Sequence, residues 1–428
     1  MMNDLFVTPK VETGSNPFAA KPKWAFAKVD GVEAIELHDG KAHLPMSYTH
    51  HFMPACFKTP DRKKIAMNFS GELLQRQKDI VDETMDIISR TKTCLLCLHT
   101  GFGKTIFSLW VAAQLGYPVL VLCHRKIIMD QWIEAAKKYL PGVSCGIFAP
   151  AKSTAENLPD ICIANTINVT KVPHGFFDKY GTVLVDEVHT ICTEGFSKSL
   201  TRVFPNFLIG LSATPFRSDG MDRLIELYMG PEMVCKKMQR FFHVYKYETG
   251  FQPEVRRMPD GGLDWNSVLE SQATSAARNR QICDIVRFFC NRTILVLVKR
   301  KDHAIALQKM LWKFLPKPDV GIFLGTMKAA NYDCRVLIGT VSKSGTGFDH
   351  PKLDMLIAAA DVEENFIQYL GRVFRRDDTC PIYIDVIDDM GVLKTHSTSR
   401  LKVCKEAGGV VLKFSDIFKD FKNFLHRM

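Results

Sequence analysis

The sequence predicts an α/β protein of two tandem lobes, each built on a parallel sheet, with a small N-terminal β-containing region in front. Three observations carry this. Apolar runs of strand length alternate with helical patterns from residue 71 onward. The runs are continuous rather than alternating, as strands buried on both faces of a parallel sheet must be. The rhythm occurs twice, so the expected domains are an accessory region over 1–70, a first α/β domain over 71–235 and a second over 236–428.

Length and composition agree. A chain of 428 residues can form two or three cores, and 46% hydrophobic with 24% charged residues is ordinary for a soluble protein. No uninterrupted apolar run reaches the roughly 18 residues of a membrane span. Met1-Met2-Asn3-Asp4 lacks the basic and apolar segments of a secretion signal. The 13 cysteines are scattered, several in apolar runs (Cys97, Cys123, Cys162, Cys290), which predicts free, buried thiols in a reducing compartment, cytoplasm or nucleus. Cys94 and Cys97 form a C-x-x-C with no second pair to complete a zinc site, and are read as packed thiols. His43, His50, His51 and Cys56 fit no common zinc spacing and are read as surface groups. The net charge of +10, from 56 basic and 46 acidic residues, favours a polyanionic partner.

The elements follow in order. Pro9, Pro17 and Pro22 predict an extended start. Trp24–Val29 and Val32–Leu37, joined by Asp30-Gly31, read as a hairpin. In the first lobe the strands are Thr93–Leu98, Pro118–Cys123, Ile161–Ala164, Val183–Val185 and Phe207–Leu211. Helices are predicted over Ile106–Leu115 and Ile127–Tyr139, the first presenting Ile106, Leu109, Trp110 and Ala113 as a core stripe and stopped by Gly116. In the second lobe the strands are His243–Tyr247, Ile294–Val298, Val336–Gly339, Met355–Ala359 and Pro381–Ile387, with helices near Gln272–Cys290 and Asp302–Leu315. Gly250–Gly262 reads as a surface loop. Phe414, Ile417, Phe418, Phe421, Phe424 and Leu425 recur at helical spacing, read as packing within their own domain.

Two short segments carry the chemistry. Gly101-Phe102-Gly103-Lys104-Thr105 follows a buried strand and opens a helix, so its backbone N–H groups can cradle phosphates. Lys104 would reach the β- and γ-phosphates, and the Thr105 hydroxyl would bind Mg²⁺. Thr182–Val185 is an apolar strand that ends in Asp186-Glu187. Asp186 would hold Mg²⁺, and Glu187 would orient and deprotonate the attacking water. Ser212-Ala213-Thr214 ends another strand at the same expected edge, where hydroxyls can couple the acids to nucleic acid. Gln368–Arg376 concentrates Arg372, Arg375 and Arg376; on a helix, residues 368, 372 and 375 share a face, an arrangement suited to a γ-phosphate.

The order of motifs across residues 74–376 resembles that of a superfamily 2 helicase. Leu74-Gln75-Arg76-Gln77 is similar to the adenine-reading element, Leu98–Thr105 to motif I, and Leu122–Lys126 with Gln131-Trp132 to motif Ia. Ala164-Asn165-Thr166 resembles motif Ib, Asp186–His189 a DEVH form of motif II, and Ser212–Pro215 motif III. Thr340–Asp349 resembles motif V, and Gln368–Arg376 motif VI. Leu211–Gly220 and the His124-Arg125…Gln131-Trp132 segment look most like the XPB, UvsW and poxvirus transcript-release group of DNA-dependent ATPases, with a compact size like helicases of large DNA viruses and phages. Leu98 departs from the family, which usually has a small residue there.

The resemblance implies two RecA-like domains, ATP and Mg²⁺ as cofactors, and a nucleic-acid track, DNA before RNA. A viral source would place the chain at a replication site. It implies nucleotide contacts from Gln77, from Thr100 to Thr105, and from Gly347, Asp349 and Gln368. Arg375 would be the finger, with Arg372 beside it. Arg125, Lys126, Thr166 and Thr340 would touch the nucleic-acid backbone, a sequence-independent and salt-sensitive mode. An RNA helicase is the alternative. A catalytically silent nucleic-acid-binding module is the second alternative, and it would show a broken catalytic residue.

Overall fold

The computed structural model describes residues 28–29, 32–38, 41–193, 197–213, 222–325, 327, 331, 333–341, 350, 352–362, 366–374, 376, 378–414 and 421. The chain divides into two compact units, Met1–Lys237 and Met238–Met428.

Unit one opens with two short hairpins, β1 (Lys28–Val29) with β2 (Val32–Glu33) and β3 (Glu36–His38) with β4 (Lys41–His43). Helices α1 (Met46–Phe52), α2 (Gln75–Lys78) and α3 (Val81–Thr91) follow. The α/β rhythm is then β5 (Thr93–Leu98), α4 (Lys104–Leu115), β6 (Val119–Cys123), α5 (Lys126–Tyr139), β7 (Cys145–Ile147), β8 (Ile161–Asn165), α6 (Thr166–Val169), β9 (Thr182–Asp186), α7 (Val188–Ile191), β10 (Phe207–Ser212), α8 (Asp222–Met229) and β11 (Met233–Lys236). The sheet order is β11-β5-β10-β9-β6-β8-β7. Every pairing in it is parallel. The strand ends of β5, β6, β8, β9 and β10 therefore lie on one edge, where open α/β sheets place their ligands.

Helix packing in this unit departs from the expected stripe. α4 buries Phe107, Leu109, Val111, Ala112 and Leu115, while Ile106, Trp110 and Ala113 are only half-buried. The helix is apolar nearly all round because it packs against both the sheet and α5, so a single stripe does not describe it. Gly116, at φ +73°, ends it as expected, donating its N–H to the Ala112 carbonyl.

Residues before 71 join the cores of unit one. Met46 and Tyr48 of α1 cluster with Leu224, Ile225 and Tyr228 of α8. The extended stretch near residue 65 is strapped on by Ile65 N–H to the Gly116 carbonyl at 2.8 Å and Ser70 N–H to the Tyr139 carbonyl at 2.7 Å. His43 is not a surface group. It is 5% exposed, and its ring lies 4.5 Å from that of His174, which stacks on His38. Glu36 anchors the same hairpin, accepting from Thr201 at 2.6 Å and Arg202 at 2.9 Å. Sequence spacing cannot reveal this because the partners are more than a hundred residues away. Cys94 and Cys97 sit inside β5, where burial pushes both thiols up to about 12, as inert packed thiols require.

Unit two contains β12 (Phe242–Glu248), β13 (Arg256–Arg257), β14 (Leu263–Asp264), α9 (Trp265–Thr274), α10 (Ala276–Phe288), β15 (Ile294–Val298), α11 (Lys301–Leu311), β16 (Val320–Phe323), β17 (Val336–Thr340), β18 (Met355–Ala358), α12 (Phe366–Leu370), β19 (Ile382–Ile387), α13 (Gly391–Glu406) and β20 (Gly409–Lys413). Its sheet order is β16-β17-β15-β18-β19-β12-β20, all parallel. The single helix expected near 272–290 is two, split at Ser275, whose hydroxyl caps α10 by accepting from the Arg278 N–H. The Gly250–Gly262 loop contains β13, which pairs with β14. Phe414 and Phe421 pack in the core of this unit. Ile417, Phe418, Phe424 and Leu425 lie outside the described residues.

Candidate nucleotide site and nucleic-acid edge

The phosphate-type loop leaves β5 after Leu98, which is fully buried in the strand. That is why a bulky residue is tolerated there: the turn begins one residue later. Gly101 (φ +85°) and Gly103 (φ +92°) adopt left-handed backbone that favours glycine. Between them Phe102 drives its ring into the core, at 2% exposure, so only its backbone can face a ligand. Gly103 caps α4, and Lys104 and Thr105 form the first turn, half-buried.

Gln77 is built under this loop. Its amide donates to the carbonyls of Phe102 at 3.3 Å and Gly103 at 3.2 Å, and its Oε1 accepts the Leu74 N–H at 2.9 Å. A Cβ on Gly103 would meet Gln77 Nε2 at 2.5 Å and displace that side chain from the loop, so glycine at φ +92° also leaves room for Gln77. Arg76, absent from the sequence-based site, donates to the Gly101 carbonyl at 3.1 Å.

The acids end β9, two strands from β5 across β10. Asp186 is buried, and its Oδ2 accepts the Trp132 indole N–H at 2.7 Å. Burial first, and the Glu187 charge second, push its carboxyl up to about 6, while Lys104 and the Trp132 hydrogen bond oppose the rise. Glu187 takes φ +50°, a left-handed conformation that costs a non-glycine residue about 1–3 kcal/mol. Its Oε1 lies 3.7 Å from Lys104 Nζ. Its Oε2 lies 3.5 Å from His189 Nδ1, which is also 2.9 Å from Ser212 Oγ on β10. Thus the DEVH and Ser-Ala-Thr segments are directly linked; Thr214 itself lies outside the described residues. Thr190 Oγ1 joins this network to His124 Nδ1 at 3.1 Å. Burial, reinforced by Arg125, lowers the His124 imidazole to about 4, so it is neutral at physiological pH.

The nucleic-acid candidates of unit one cluster at the same edge. Arg125 and Lys126 open α5 after β6 and are exposed. Thr166 opens α6 after the adjacent β8, but it is fully buried and its hydroxyl has no hydrogen-bond partner among the described residues. In unit two Thr340 ends β17 at 2% exposure, its hydroxyl likewise unpartnered among the described residues. Beside it on β15, Val298 pairs with Thr340 and is followed by Lys299, Arg300 and Lys301. These three cations were not singled out from the sequence; the available signal was a basic run directly after a buried strand.

The arginine segment does not form one helix. α12 stops at Leu370, and Gly371–Val373 tightens into a 3₁₀ turn, so Gln368 and Arg372 do not lie on one continuous α-helix. The partner is distant in sequence: Arg240 donates to the Phe374 carbonyl at 2.6 Å and to the Arg376 carbonyl, holding the chain in a bend. Gln368 and Arg372 are buried in this turn. Arg376 is paired with Asp378 at 2.6 Å. Arg375, Gly347 and Asp349 lie outside the described residues.

The residues fit a magnesium ion that arrives with a nucleotide. Mg²⁺ keeps several waters and takes one or two carboxylates plus phosphate oxygens, so it does not need a protein cage. A buried carboxylate at a strand end and a hydroxyl on the first turn after the loop are such a donor set.

Comparison with known proteins agrees with this geometry. The type III restriction enzyme res subunit family matches residues 70–217. The chain is 35% identical over 414 residues to "Putative helicase 161L" of Invertebrate iridescent virus 6, covering 90% of this chain and 93% of that one. It is 23% identical over 359 residues to "Putative ATP-dependent RNA helicase L396" of Acanthamoeba polyphaga mimivirus, covering 78% and 68%. Among solved structures, S. cerevisiae Dbp5 bound to RNA and ADP BeF3 superposes with a TM-score of 0.56 at 14% identity, covering 82% of this chain and 97% of that one, a likeness of fold. The chain therefore belongs to the superfamily 2 helicases of large DNA viruses, ATP-dependent enzymes of tandem RecA-like domains.

Proposed function

We propose that this helicase works on DNA, translocating along or remodelling duplex or branched DNA at the expense of ATP. The observation that carries the motor reading is the assembly at one sheet edge of Lys104, 3.7 Å from Glu187, with buried Asp186 beside them and His189 tied to Ser212. In this reading Lys104 holds the β- and γ-phosphates, Thr105 and Asp186 hold Mg²⁺, and Glu187 activates water. The amides of Thr100 to Gly103 line the phosphates, and Gln77 reads adenine only once its side chain leaves the loop carbonyls that it binds in this structure. Gly347, Asp349 and Gln368 contribute to nucleotide binding, and Arg372 and Arg375 neutralise the γ-phosphate. Arg125, Lys126, Thr166, Thr340 and the Lys299–Lys301 run grip the backbone of the nucleic acid. The hydroxyls of Thr166 and Thr340 are buried in this structure, so they reach phosphate only after their covering groups move.

DNA is favoured over RNA by the resemblance of Leu211–Gly220 to the duplex-translocase group, while the net charge of +10 suits either polyanion. RNA is the second reading, favoured by the name of the mimivirus relative. Steady-state ATPase at low salt, with duplex, forked and single-stranded DNA and with RNA, and with Lys104→Ala as blank, separates them. Greatest stimulation by duplex or forked DNA is expected. Stimulation by RNA alone moves the protein to the RNA reading, and no turnover by folded protein on any substrate defeats the motor reading.

A further inference from the structure

We propose that Trp132 is a positioning residue for the metal step: its indole N–H fixes the Asp186 carboxylate in the orientation that presents the other oxygen to the ion. The proposal rests on the reading of Asp186 as the magnesium-side acid.

Trp132 lies on the inner face of α5 and is 1% exposed, packed in the core between that helix and the sheet. A ring enclosed in this way cannot turn without disturbing its neighbours. Its one polar atom is a donor only, so the bond has a single direction: indole N–H to carboxylate oxygen. At 2.7 Å the contact to Asp186 Oδ2 has the short length of a charge-assisted hydrogen bond. Packing alone would be served by leucine, methionine or phenylalanine; buried tryptophan is retained where its N–H reaches a partner. The backbone beside Asp186 turns sharply, with Glu187 at φ +50°. With Oδ2 on the indole, Oδ1 is the oxygen presented to the ion, in a carboxylate that also takes a hydrogen bond from the Glu187 backbone N–H. Outer-shell hydrogen bonds of this kind typically change metal affinity by about 10–100-fold when removed.

The test deletes the donor and keeps the ring. In Trp132→Phe, Mn²⁺ binding to the protein–ADP complex, counted by electron paramagnetic resonance, should weaken by about 10-fold or more. The affinity for MANT-ADP without metal should stay the same, and the Mg²⁺ concentration for half-maximal ATPase should rise in parallel. A purely structural tryptophan would change the Mn²⁺ and MANT-ADP affinities together or neither. Mn²⁺ binding within twofold of the unsubstituted protein overturns the proposal. If Trp132→Phe does not fold, benzothienylalanine at position 132, which keeps the bicyclic shape and lacks the N–H, makes the same comparison. Asp186→Asn separates the two levels. If it abolishes Mn²⁺ binding while Trp132→Phe does nothing, the tryptophan role fails and the metal reading stands. If Asp186→Asn also does nothing, the metal reading falls and takes this proposal with it.

Discussion

The two sheets carry similar charged groups at the carboxyl ends of their strands and treat them in opposite ways. In unit two the groups are closed. Arg278 and Asp388, with fully buried side chains, meet at 2.8 Å, and Gln272 adds a bond to Asp388 at 2.7 Å. Arg400 binds Asp361 at 2.5 Å and Asp385 at 2.9 Å, with Ser397 and Tyr383 on Asp385 as well. In unit one the corresponding edge is held apart. Lys104 and Glu187 are 3.7 Å from each other and partly exposed, and Glu187 sits in strained backbone. Buried ions must be paired to be tolerated, and both oxygens of Asp388 are taken up at full contact, although Arg278 Nη1 has no partner among the described residues. A loose pair beside a strained residue has kept capacity for a ligand. Contact distance and strain, more than the mere presence of charge, separate a structural ion pair from a working one.

This contrast can be broken by experiment. The largest effect belongs to the closed edge: Arg278→Ala leaves Asp388 buried without its partner and should destabilise unit two by about 3–5 kcal/mol, read as a lowered denaturant midpoint. A loss below about 1 kcal/mol would remove the distinction drawn here. At the open edge, Glu187→Gln should lower kcat by roughly 100-fold or more, and Lys104→Ala should do the same. Thermal midpoints in both should stay within a few degrees of the unsubstituted protein. A large fall in stability in either variant would make this pair structural too. The smallest effect is titration at the closed edge. His303 accepts burial as a neutral imidazole beside Asn279, 2.8 Å away, and is pushed down to about 3 by burial first and Arg278 second. Its folded value lies below its unfolded value of about 6.5, so the unfolded chain takes up protons first. Stability should therefore fall as pH drops from about 6.5 toward 3, and His303→Gln should flatten that slope. An unchanged slope would remove His303 from the acid response.

The sequence by itself determined the two α/β lobes, because continuous apolar runs such as Thr93–Leu98 and Ile294–Val298 can be satisfied only by strands covered on both faces; both strands occur with those bounds. It also marked the glycine loop and the Asp186-Glu187 strand end, since both are contiguous in the chain and their residue types have few other uses in that context. The tertiary structure decided what depends on distant partners. It put Gln77 beneath the loop, joined His189 to Ser212, brought Trp132 to Asp186 across 54 residues and buried His43 against His174. It bent the Gln368–Arg376 segment by Arg240, a cation more than a hundred residues upstream. Periodicity reports which face of a segment is apolar. It does not report which polar group a buried donor will meet, because that is fixed only when the sheet order brings separate segments to one edge.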